Sequence, residues 1–302
     1  MTNTDGEVDG VELVLVSYHS ADQVAGLLAG LPAQLAVAVV DNASGADGAD
    51  AIVEARNNAR YVDSGGGQGY AKAANLGART STAEYLVFGN PDSRPTVDVI
   101  AALVANLRLD PSCATVSAVT MDEHGRAELG VGGWEPTLRR TIVHAFGLHK
   151  IVPSAGIWFP PKPGQVVERE WMSGACMAVR RETFLALGGF DERYFVYNED
   201  MAFGRRVRGA GLRQVLRGDL QVPHLGAGSG AGSSYMARMR GASLIAYLRH
   251  HHRPVTVEVM RVALVTGYLL RIAECALTCR WQRARGFIAY VRGLILGRGS
   301  LV

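Results

Sequence analysis

Segments typical of β-strands and of α-helices alternate along the first third of this chain. Apolar, strand-like runs at 11–17, 35–40 and 85–89 are separated by helical patterns such as 21–30 and 70–79. Alternation of this kind predicts a mostly parallel sheet covered by helices. We therefore expect an α/β fold in which polar groups at the strand ends gather at the carboxyl edge of the sheet.

Two aspartates directly follow predicted strands. Asp41 can accept hydrogen bonds from a base or ribose at that edge, or it can form the turn that Asp-Asn-Ala-Ser also predicts. Asp92, in Asn90-Pro91-Asp92, is placed to bind a hard cation such as Mg²⁺ or Mn²⁺, although a Pro-Asp turn explains the tripeptide equally well. The glycine-rich loop 65–69 matches neither the dinucleotide fingerprint nor the P-loop, which disfavours dehydrogenases and P-loop kinases.

A third acidic position lies in the segment 188–200, which combines a Gly-Gly turn, an aromatic run and the pair Glu199-Asp200. A carboxylate walled by aromatic rings is suited to act as a general base toward a ligand hydroxyl, because burial raises its proton affinity. Acids also stabilise the first turn of a helix, which is the structural alternative. His224, which follows Val222-Pro223, is either a metal ligand or a structural histidine.

The C-terminal part of the chain is basic. It holds nine arginines and two acids from residue 249 onward, whereas the whole chain has a net charge of +3. Within 255–279 the charged residues occupy about half of a helical wheel, and the longest charge-free run, 262–270, is too short to span a bilayer. The pattern predicts an amphipathic helix that contacts an anionic membrane surface, or one that packs on the main domain or on a second subunit in a homodimer.

The remaining composition indicates a reduced, cytoplasmic protein. Four cysteines without zinc-type spacing favour an intracellular chain, and residues 1–10 are polar and acidic, unlike a secretory signal. We expect those ten residues to form a disordered tail. Contact with the inner face of the cell membrane is the peripheral alternative, whereas nucleic-acid binding has only the arginine-rich tail in its favour and is not expected.

Several short motifs follow one another in a distinctive order. They are Val16-Ser17-Tyr18, Val39-Val40-Asp41-Asn42, the run 69–77, Asn90-Pro91-Asp92, Ser173-Gly174-Ala175, the run 188–195, Glu199-Asp200 and His224. Together they resemble glycosyltransferase family 2, and most closely its bacterial rhamnosyltransferase-like branch. The resemblance covers roughly residues 11–240.

This resemblance implies a GT-A fold, which is a Rossmann-like, mostly parallel sheet flanked by helices, over 11–240, with a basic helical extension at 241–302. It also implies inverting transfer of a sugar from a nucleotide diphosphate to an acceptor hydroxyl. The implied roles are Asp200 as general base supported by Glu199; donor binding by Tyr18, Asp41, Gly69, Asn75, Asn90 and Asp92; sugar or acceptor contacts by Trp171, Ser173 and Gly174; and Mg²⁺ or Mn²⁺ binding by Asp92 and His224.

The sequence departs from the family pattern at two positions. Asn90 replaces the first Asp of the D-x-D motif, as in rhamnosyltransferase-like members, so a metal would have fewer protein ligands. Gly67 stands where many members have Asn before the Gly-Tyr pair, which affects the contacts to base and ribose. The loop 226–234 is expected to close over the donor and exclude water.

The branch resemblance favours dTDP-L-rhamnose as the donor, with a UDP-sugar as the alternative. The basic tail favours a lipid-linked acceptor, as in cell wall or glycoconjugate biosynthesis, while a soluble acceptor stays open. A nucleotidyltransferase is disfavoured, because residues 19–22 do not form a basic, glycine-rich phosphate loop. A non-catalytic nucleotide-binding or scaffold protein is the alternative from another class.

Overall fold

The computed structural model describes residues 8–226 and 233–297. Their described parts form two compact units. Unit 1 is drawn from Met1–Gly132, Pro160–Glu192 and Asp200–Gly230, and unit 2 from Gly133–Phe159, Arg193–Glu199 and Ala231–Val302. The sequence predicts a single domain boundary at residue 240. In the structure, unit 2 also includes two segments from earlier in the chain, Gly133–Phe159 and Arg193–Glu199.

The elements are given in chain order for the described ranges. They are β1 (Val11–Ser17), α1 (Ala21–Ala29), β2 (Ala36–Asp41), α2 (Ala49–Glu54), β3 (Ala59–Asp63), α3 (Tyr70–Thr80), β4 (Tyr85–Gly89), α4 (Val97–Leu109), β5 (Cys113–Met121), β6 (Gly132–Gly133), α5 (Leu138–Ala145), two short 3-10 helices (Leu148–Lys150 and Pro153–Ala155), β7 (Val166–Glu168), β8 (Trp171–Met172), β9 (Cys176–Arg180), α6 (Arg181–Ala186), α7 (Glu199–Gly209), β10 (Arg213–Pro223), α8 (Ser233–His251), α9 (Pro254–Leu277) and α10 (Trp281–Leu296).

The central sheet lies in unit 1 and has the strand order β3-β2-β1-β4-β9-β5-β10-β7. Strands β1 to β4 are mutually parallel, and β5 is parallel to β10. Strand β9 runs antiparallel between β4 and β5, and β7 runs antiparallel on β10. The predicted α/β fold with a mostly parallel sheet is confirmed. Because β9 is reversed, the turn before it reaches the carboxyl edge of the parallel strands.

Both faces of the sheet are buried, which explains the continuous apolar runs in its strands. Leu13 and Leu15 of β1 point into one apolar cluster, with residues of α1 and α4. Val14 points into the other cluster, with residues of α3. Helix α3 approaches the sheet closely at Gly77, where a Cβ atom would lie 2.6 Å from Val14 Cγ1.

The structure corrects one predicted pair of strands. The sequence predicts two short strands at 214–216 and 220–223, but both belong to the single strand β10, with a register shift between Arg217 and Gln221. At this shift the backbone of Gly218 exchanges hydrogen bonds with Gly164 and Gln165. The irregular segment is therefore paired rather than looped out, which the local sequence does not reveal.

The described part of unit 2 is mainly helical, and the predicted C-terminal helices are confirmed. Helix α10 packs against α8 and α9, and α9 packs against α5. The contact between α9 and α5 is close at Gly267, where a Cβ atom would overlap the backbone carbonyl of Ala145. None of the helices in residues 8–226 and 233–297 combines the length and apolarity that crossing a bilayer requires.

Candidate active site

The carboxyl edge of the sheet brings three distant segments of unit 1 together. The backbone N–H of Asn90 donates to the carbonyl of Ala175 over 3.2 Å, which joins the end of β4 to the turn before β9. The N–H of Leu225 donates to the carbonyl of Asp92 over 3.0 Å, which joins β4 to the end of β10. The predicted residues Asn90, Asp92, Gly174 and His224 are thus neighbours along one edge.

Asp92 and His224 face each other at this edge. His224 Nε2 lies 3.1 Å from Asp92 Oδ1, and His224 Nδ1 lies 2.9 Å from Glu128 Oε2. Burial by itself lowers the pKa of His224, but the two carboxylates dominate and raise that pKa to about 10. The imidazole is therefore a cation held between two acids in this arrangement.

Glu128 is a site residue that the sequence does not predict. A tight hairpin folds it back: Gly125 N–H donates to Asp122 O, and Glu128 N–H donates to Thr120 O. The Thr120 hydroxyl donates to Glu128 Oε2 over 2.6 Å. Burial works against ionisation of Glu128, yet the hydrogen bonds from His224 and Thr120 lower its pKa below the usual value. In the sequence, this hairpin is indicated only by the turn residues Asp122 to Gly125.

The cluster offers a carboxylate and an imidazole to a divalent cation. Among the described residues, no group of three or more His, Cys, Asp and Glu side chains has a metal-binding arrangement. Asp92 and His224 nevertheless converge on each other, and Asp92 is 5% exposed. Oxygen and imidazole nitrogen suit Mg²⁺ or Mn²⁺, so the pair fits a cation that displaces the proton from His224 Nε2 and takes its other ligands from a bound diphosphate and water.

Asp200 is the second residue of α7. Its Oδ1 accepts a hydrogen bond from the backbone N–H of Met201 over 2.7 Å. Burial raises the pKa of Asp200 to about 6, although hydrogen bonds from the backbone at Met201, Asp200 itself and Gly174 act in the opposite direction. The contact with Gly174 links Asp200 to the turn that is also joined to Asn90. A carboxylate with a pKa near neutrality is suited to proton transfer.

The chain enters α7 through two residues in an unusual conformation. Tyr197 and Asn198 have φ angles of 66° and 69°, in the left-handed region that side-chain-bearing residues rarely adopt. Such backbone is costly and is concentrated at functional sites, where surrounding contacts hold it in place. In unit 2, Arg240 lies over the Tyr197 ring at 4.7 Å, and Glu199 is 6% exposed. The predicted supporting role of Glu199 stays a prediction.

Asp41 is fully buried at the end of β2 and is held by internal hydrogen bonds. Its carboxylate accepts from Ala43 N–H over 2.7 Å, Gly45 N–H over 2.6 Å and the Tyr61 hydroxyl over 2.7 Å. These contacts match the turn that its sequence also predicts. Tyr18, after β1, is 41% exposed and open to a ligand. Nucleoside binding by both residues stays a prediction.

The glycine loop before α3 lies beside Asn42, the neighbour of Asp41. Gly65, Gly66 and Gly67 all have positive φ angles, which only glycine adopts at little cost. The Asn42 side-chain oxygen accepts from the N–H of Gln68 over 2.8 Å. The loop therefore has a fixed backbone path, with Gly69 at the start of α3.

Asn75 has internal partners that account for its burial. Its side-chain nitrogen donates to Phe190 O, and its side-chain oxygen accepts from Phe190 N–H, both over 2.8 Å. It also donates to Glu192 over 3.0 Å. Asn75 thus anchors the turn that follows Gly188-Gly189, and its contact with the donor stays a prediction.

The predicted sugar or acceptor residues lie on the turn before β9. Trp171 is 4% exposed, the Ser173 N–H donates to Val131 O, and the Gly174 carbonyl accepts from the Tyr70 hydroxyl over 3.4 Å. The turn is therefore braced from several sides, directly beside Asp200. Most of the loop predicted to close over the donor, 227–232, lies outside the described residues.

Comparison with known sequences gives a consistent result. Residues 13–150 match the family described as "Glycosyl transferase family 2". The N-acetylglucosaminyl-diphospho-decaprenol L-rhamnosyltransferase of Mycobacterium tuberculosis (strain H37Rv) is 26% identical over 273 residues, which cover 81% of this chain and 82% of that protein. The low-salt glycan biosynthesis hexosyltransferase Agl10 of Haloferax volcanii is 24% identical over 205 residues, covering 67% of this chain and 62% of that protein.

Comparison with solved structures supports the fold. The mannosyltransferase PcManGT from Pyrobaculum calidifontis, in complex with GDP-Man and Mn²⁺, superposes with a TM-score of 0.59 at 20% identity, covering 95% of this chain and 88% of that chain. GalNAc-T7 with UDP, GalNAc and Mn²⁺ superposes with a TM-score of 0.53 at 15% identity, covering 76% and 47%. The predicted GT-A fold is confirmed.

Proposed function

Because this chain is a nucleotide-sugar glycosyltransferase of family 2, we propose that it transfers L-rhamnose from dTDP-L-rhamnose, with inversion, to a hydroxyl of a lipid-linked acceptor. The observation that carries the catalytic part is Asp200, a carboxylate with a raised pKa beside the turn whose Ala175 carbonyl accepts from the N–H of Asn90. The sugar and the acceptor class are carried over from the name of the mycobacterial relative.

Asp200 is the base in the proposed reaction. Its carboxylate takes the proton from the acceptor hydroxyl as that oxygen attacks the anomeric carbon of the donor. The bond between the anomeric carbon and the diphosphate oxygen breaks, and its electron pair leaves with the nucleoside diphosphate. Attack from the face opposite the leaving group inverts the configuration at that carbon.

Asp92 and His224 are proposed to hold a divalent cation together with oxygens of the donor diphosphate. When it is bound, the cation offsets the negative charge on the departing diphosphate. Glu128 positions the ring, since its carboxylate pairs with Nδ1 and directs Nε2 toward Asp92. Tyr18 and the loop 65–69 are proposed to contact the nucleoside, because Tyr18 is exposed beside β1.

Thermal stabilisation by dTDP-, UDP- and GDP-sugars, with and without Mn²⁺, tests the donor. A ligand at about 100 times its Kd stabilises the folded state by about 2.7 kcal/mol, so the correct donor raises Tm clearly. We expect dTDP-L-rhamnose to give the largest shift, and only with the metal. A larger shift with a UDP-sugar would reassign the donor and leave the family unchanged.

Transfer of labelled rhamnose to a polyprenyl-diphosphate-linked sugar tests the reaction itself. The wild-type chain should form product, and Asp200→Asn should bind the donor with the same Tm shift but form almost none. Donor binding by both proteins with transfer by neither would favour the non-catalytic alternative. Transfer only to a soluble acceptor would keep the enzyme class and overturn the lipid-linked acceptor.

A further inference from the structure

The loop after β4 is held in place through its carbonyl groups. The carbonyl of Asn90 accepts hydrogen bonds from the Ser93 N–H over 3.0 Å and from the Ser93 hydroxyl over 2.7 Å. The carbonyl of Asp92 accepts from the Leu225 N–H over 3.0 Å. Pro91, between them, has no N–H with which to anchor the loop. The position of the Asp92 carboxylate therefore depends on the hydrogen bonds that these carbonyls accept.

The same loop pairs with the end of β10. Ser93 and His224 face each other in an antiparallel bridge. Beside this bridge, the backbone N–H of Arg94 donates to the carbonyl of Pro223 over 2.8 Å. Asp92 directly precedes Ser93, and His224 directly follows Pro223. The pairing therefore helps to set the distance between the two side chains that are proposed to hold the cation.

The side chain of Arg94 binds the carbonyls on either side of Asp92. Its Nη1 atom donates to the carbonyl of Pro91 over 2.6 Å and to the carbonyl of Ser93 over 2.9 Å. Hydrogen bonds from a charged donor are stronger than those between neutral groups, so both contacts restrain the loop firmly. Together with the Leu225 N–H, Arg94 thus binds three successive carbonyls of the loop, those of residues 91 to 93.

Helix α1 contacts the same guanidinium. A Cβ atom on Gly26 of α1 would lie 3.2 Å from Arg94 Nη2, which is closer than ordinary van der Waals contact. Glycine at this position therefore leaves the room that the guanidinium occupies. Within the described residues, the hydrogen bonds of this guanidinium go to backbone carbonyls, whereas an arginine that balances charge pairs with a carboxylate. These contacts suit Arg94 to orient a loop and not to neutralise an acid.

We propose that Arg94 is a positioning residue for the metal and diphosphate site, and that it acts through the carbonyls that flank Asp92. His224 Nε2 lies 3.1 Å from Asp92 Oδ1, so a small displacement of the loop changes the distance between the two metal-binding groups. Outer groups that orient metal ligands affect metal affinity without touching the metal. Arg94 itself contacts neither the cation nor the donor in this proposal. The inference rests on the proposed function, because that function supplies the cation and the diphosphate.

A titration of the full chain with Mn²⁺ tests the proposal, with the donor-induced Tm shift as the readout. The donor is the one among the dTDP-, UDP- and GDP-sugars that shifts the wild-type Tm most. Arg94→Met keeps an extended side chain but removes its donors, so the Mn²⁺ concentration at half of the full shift should rise about 10- to 100-fold. Arg94→Lys keeps a charged donor and should cause a smaller rise. Saturating Mn²⁺ should restore the wild-type shift in both variants.

Arg180→Met is the matched control. Like Arg94, Arg180 binds backbone carbonyls in unit 1, including those of Cys113 and Asp110. It does so where β9 pairs with the start of β4, at the opposite end of that strand from Asp92. This variant should lower the Tm of the ligand-free protein, because it leaves those carbonyls without their donor, and it should leave the Mn²⁺ requirement unchanged.

The outcomes separate the role of Arg94 from the proposed function. An unchanged Mn²⁺ requirement in Arg94→Met, beside a metal-dependent shift in the wild type, would overturn the positioning role and leave the proposed function intact. An equal rise in Arg180→Met would assign both effects to lost stability and would also overturn it. A wild-type shift that does not depend on Mn²⁺ would remove the metal from the proposed function, and the role of Arg94 with it.

Discussion

The sheet edge of unit 1 and helix α9 of unit 2 differ in the kind of side chain that they bring together. Unit 1 buries apolar strands on both faces and gathers Asp92, Glu128 and His224 at one edge. Helix α9 buries Val257 and Leu264 and exposes Val262, Leu270 and Leu277. The first arrangement concentrates charge where a small polar ligand can be bound and activated. The second contributes mainly to packing within unit 2, so changes in the two regions should affect different measurements.

The largest effect is expected from Asp200→Asn, which removes the base and keeps the size of the side chain. The turnover number should fall about 10²- to 10⁴-fold, the range that general bases contribute. Asp98→Asn is the matched control, since Asp98 is also an acid in the first turn of a helix of unit 1. Transfer kinetics of both variants measure the difference. Equal losses in the two variants would show that a helix-dipole effect, and not proton transfer, had been removed.

A smaller effect is expected from Glu128→Gln. This change leaves Asp92 and His224 in place but weakens the contact that orients the His224 imidazole. Groups that orient a metal ligand typically contribute 10- to 100-fold in metal affinity or activity. The Mn²⁺ concentration needed for the donor-induced Tm shift should rise by about that factor. Glu123→Gln changes an exposed acid of the same hairpin and should not alter it. An unchanged Mn²⁺ requirement in Glu128→Gln would separate Glu128 from the metal site.

Much of unit 1 is predictable because its strands are buried on both faces and read as continuous apolar runs. The polar residues that end these strands lie at the predicted edge for the same reason, since parallel strands share one carboxyl end. Glu128 was missed because a hairpin, and not a strand end, carries it to His224. The sequence predicts two strands in place of β10, because the irregular segment of β10 pairs through Gly218 with residues far away in sequence.

The orientation of α9 shows a different limit of sequence analysis. The spacing of its charges predicts an amphipathic helix, but not which half faces the protein. The side of α9 that faces unit 2 is set by the carbonyl of His144, which accepts from Arg271, and by the space that Gly267 leaves for Ala145. Both partners belong to α5, in a region that has no readable periodicity. The exposed apolar face is therefore a property of tertiary packing.

Gly267→Ala tests that packing directly. A Cβ atom at this position would meet the backbone carbonyl of Ala145, so α9 or α5 must move. Overpacking of this kind typically costs 1 to about 3 kcal/mol in the free energy of unfolding, measured by urea denaturation. Gly286→Ala in α10 meets no atom within 4 Å and should stabilise the helix by up to about 1 kcal/mol. Stabilisation by both substitutions would contradict the contact between α9 and α5.

The pH dependence of turnover distinguishes Asp200 from the cluster of Asp92, Glu128 and His224. The pKa of Asp200 lies near 6, so its carboxylate is available above that pH and is lost by protonation below it. The value of kcat/KM should be level above pH 6 and should fall about tenfold for each pH unit below it. This acid limb should disappear from the residual activity of Asp200→Asn. An acid limb that persists unchanged in that variant would belong to another group.

The smallest effect is expected on the exposed side of α9, and a matched pair of leucines makes it measurable. Leu270 is 58% exposed, whereas Leu264, on the same helix, is fully buried against unit 2. Leu264→Ala should lower the free energy of unfolding by about 2 to 5 kcal/mol, because it leaves a cavity. Leu270→Ala should change that quantity by no more than about 0.5 kcal/mol, because it removes only exposed apolar surface. Urea denaturation of both variants in lipid-free buffer measures the contrast. If Leu270→Ala cost as much as Leu264→Ala, the exposed side of α9 would be covered within the protein or by a second copy.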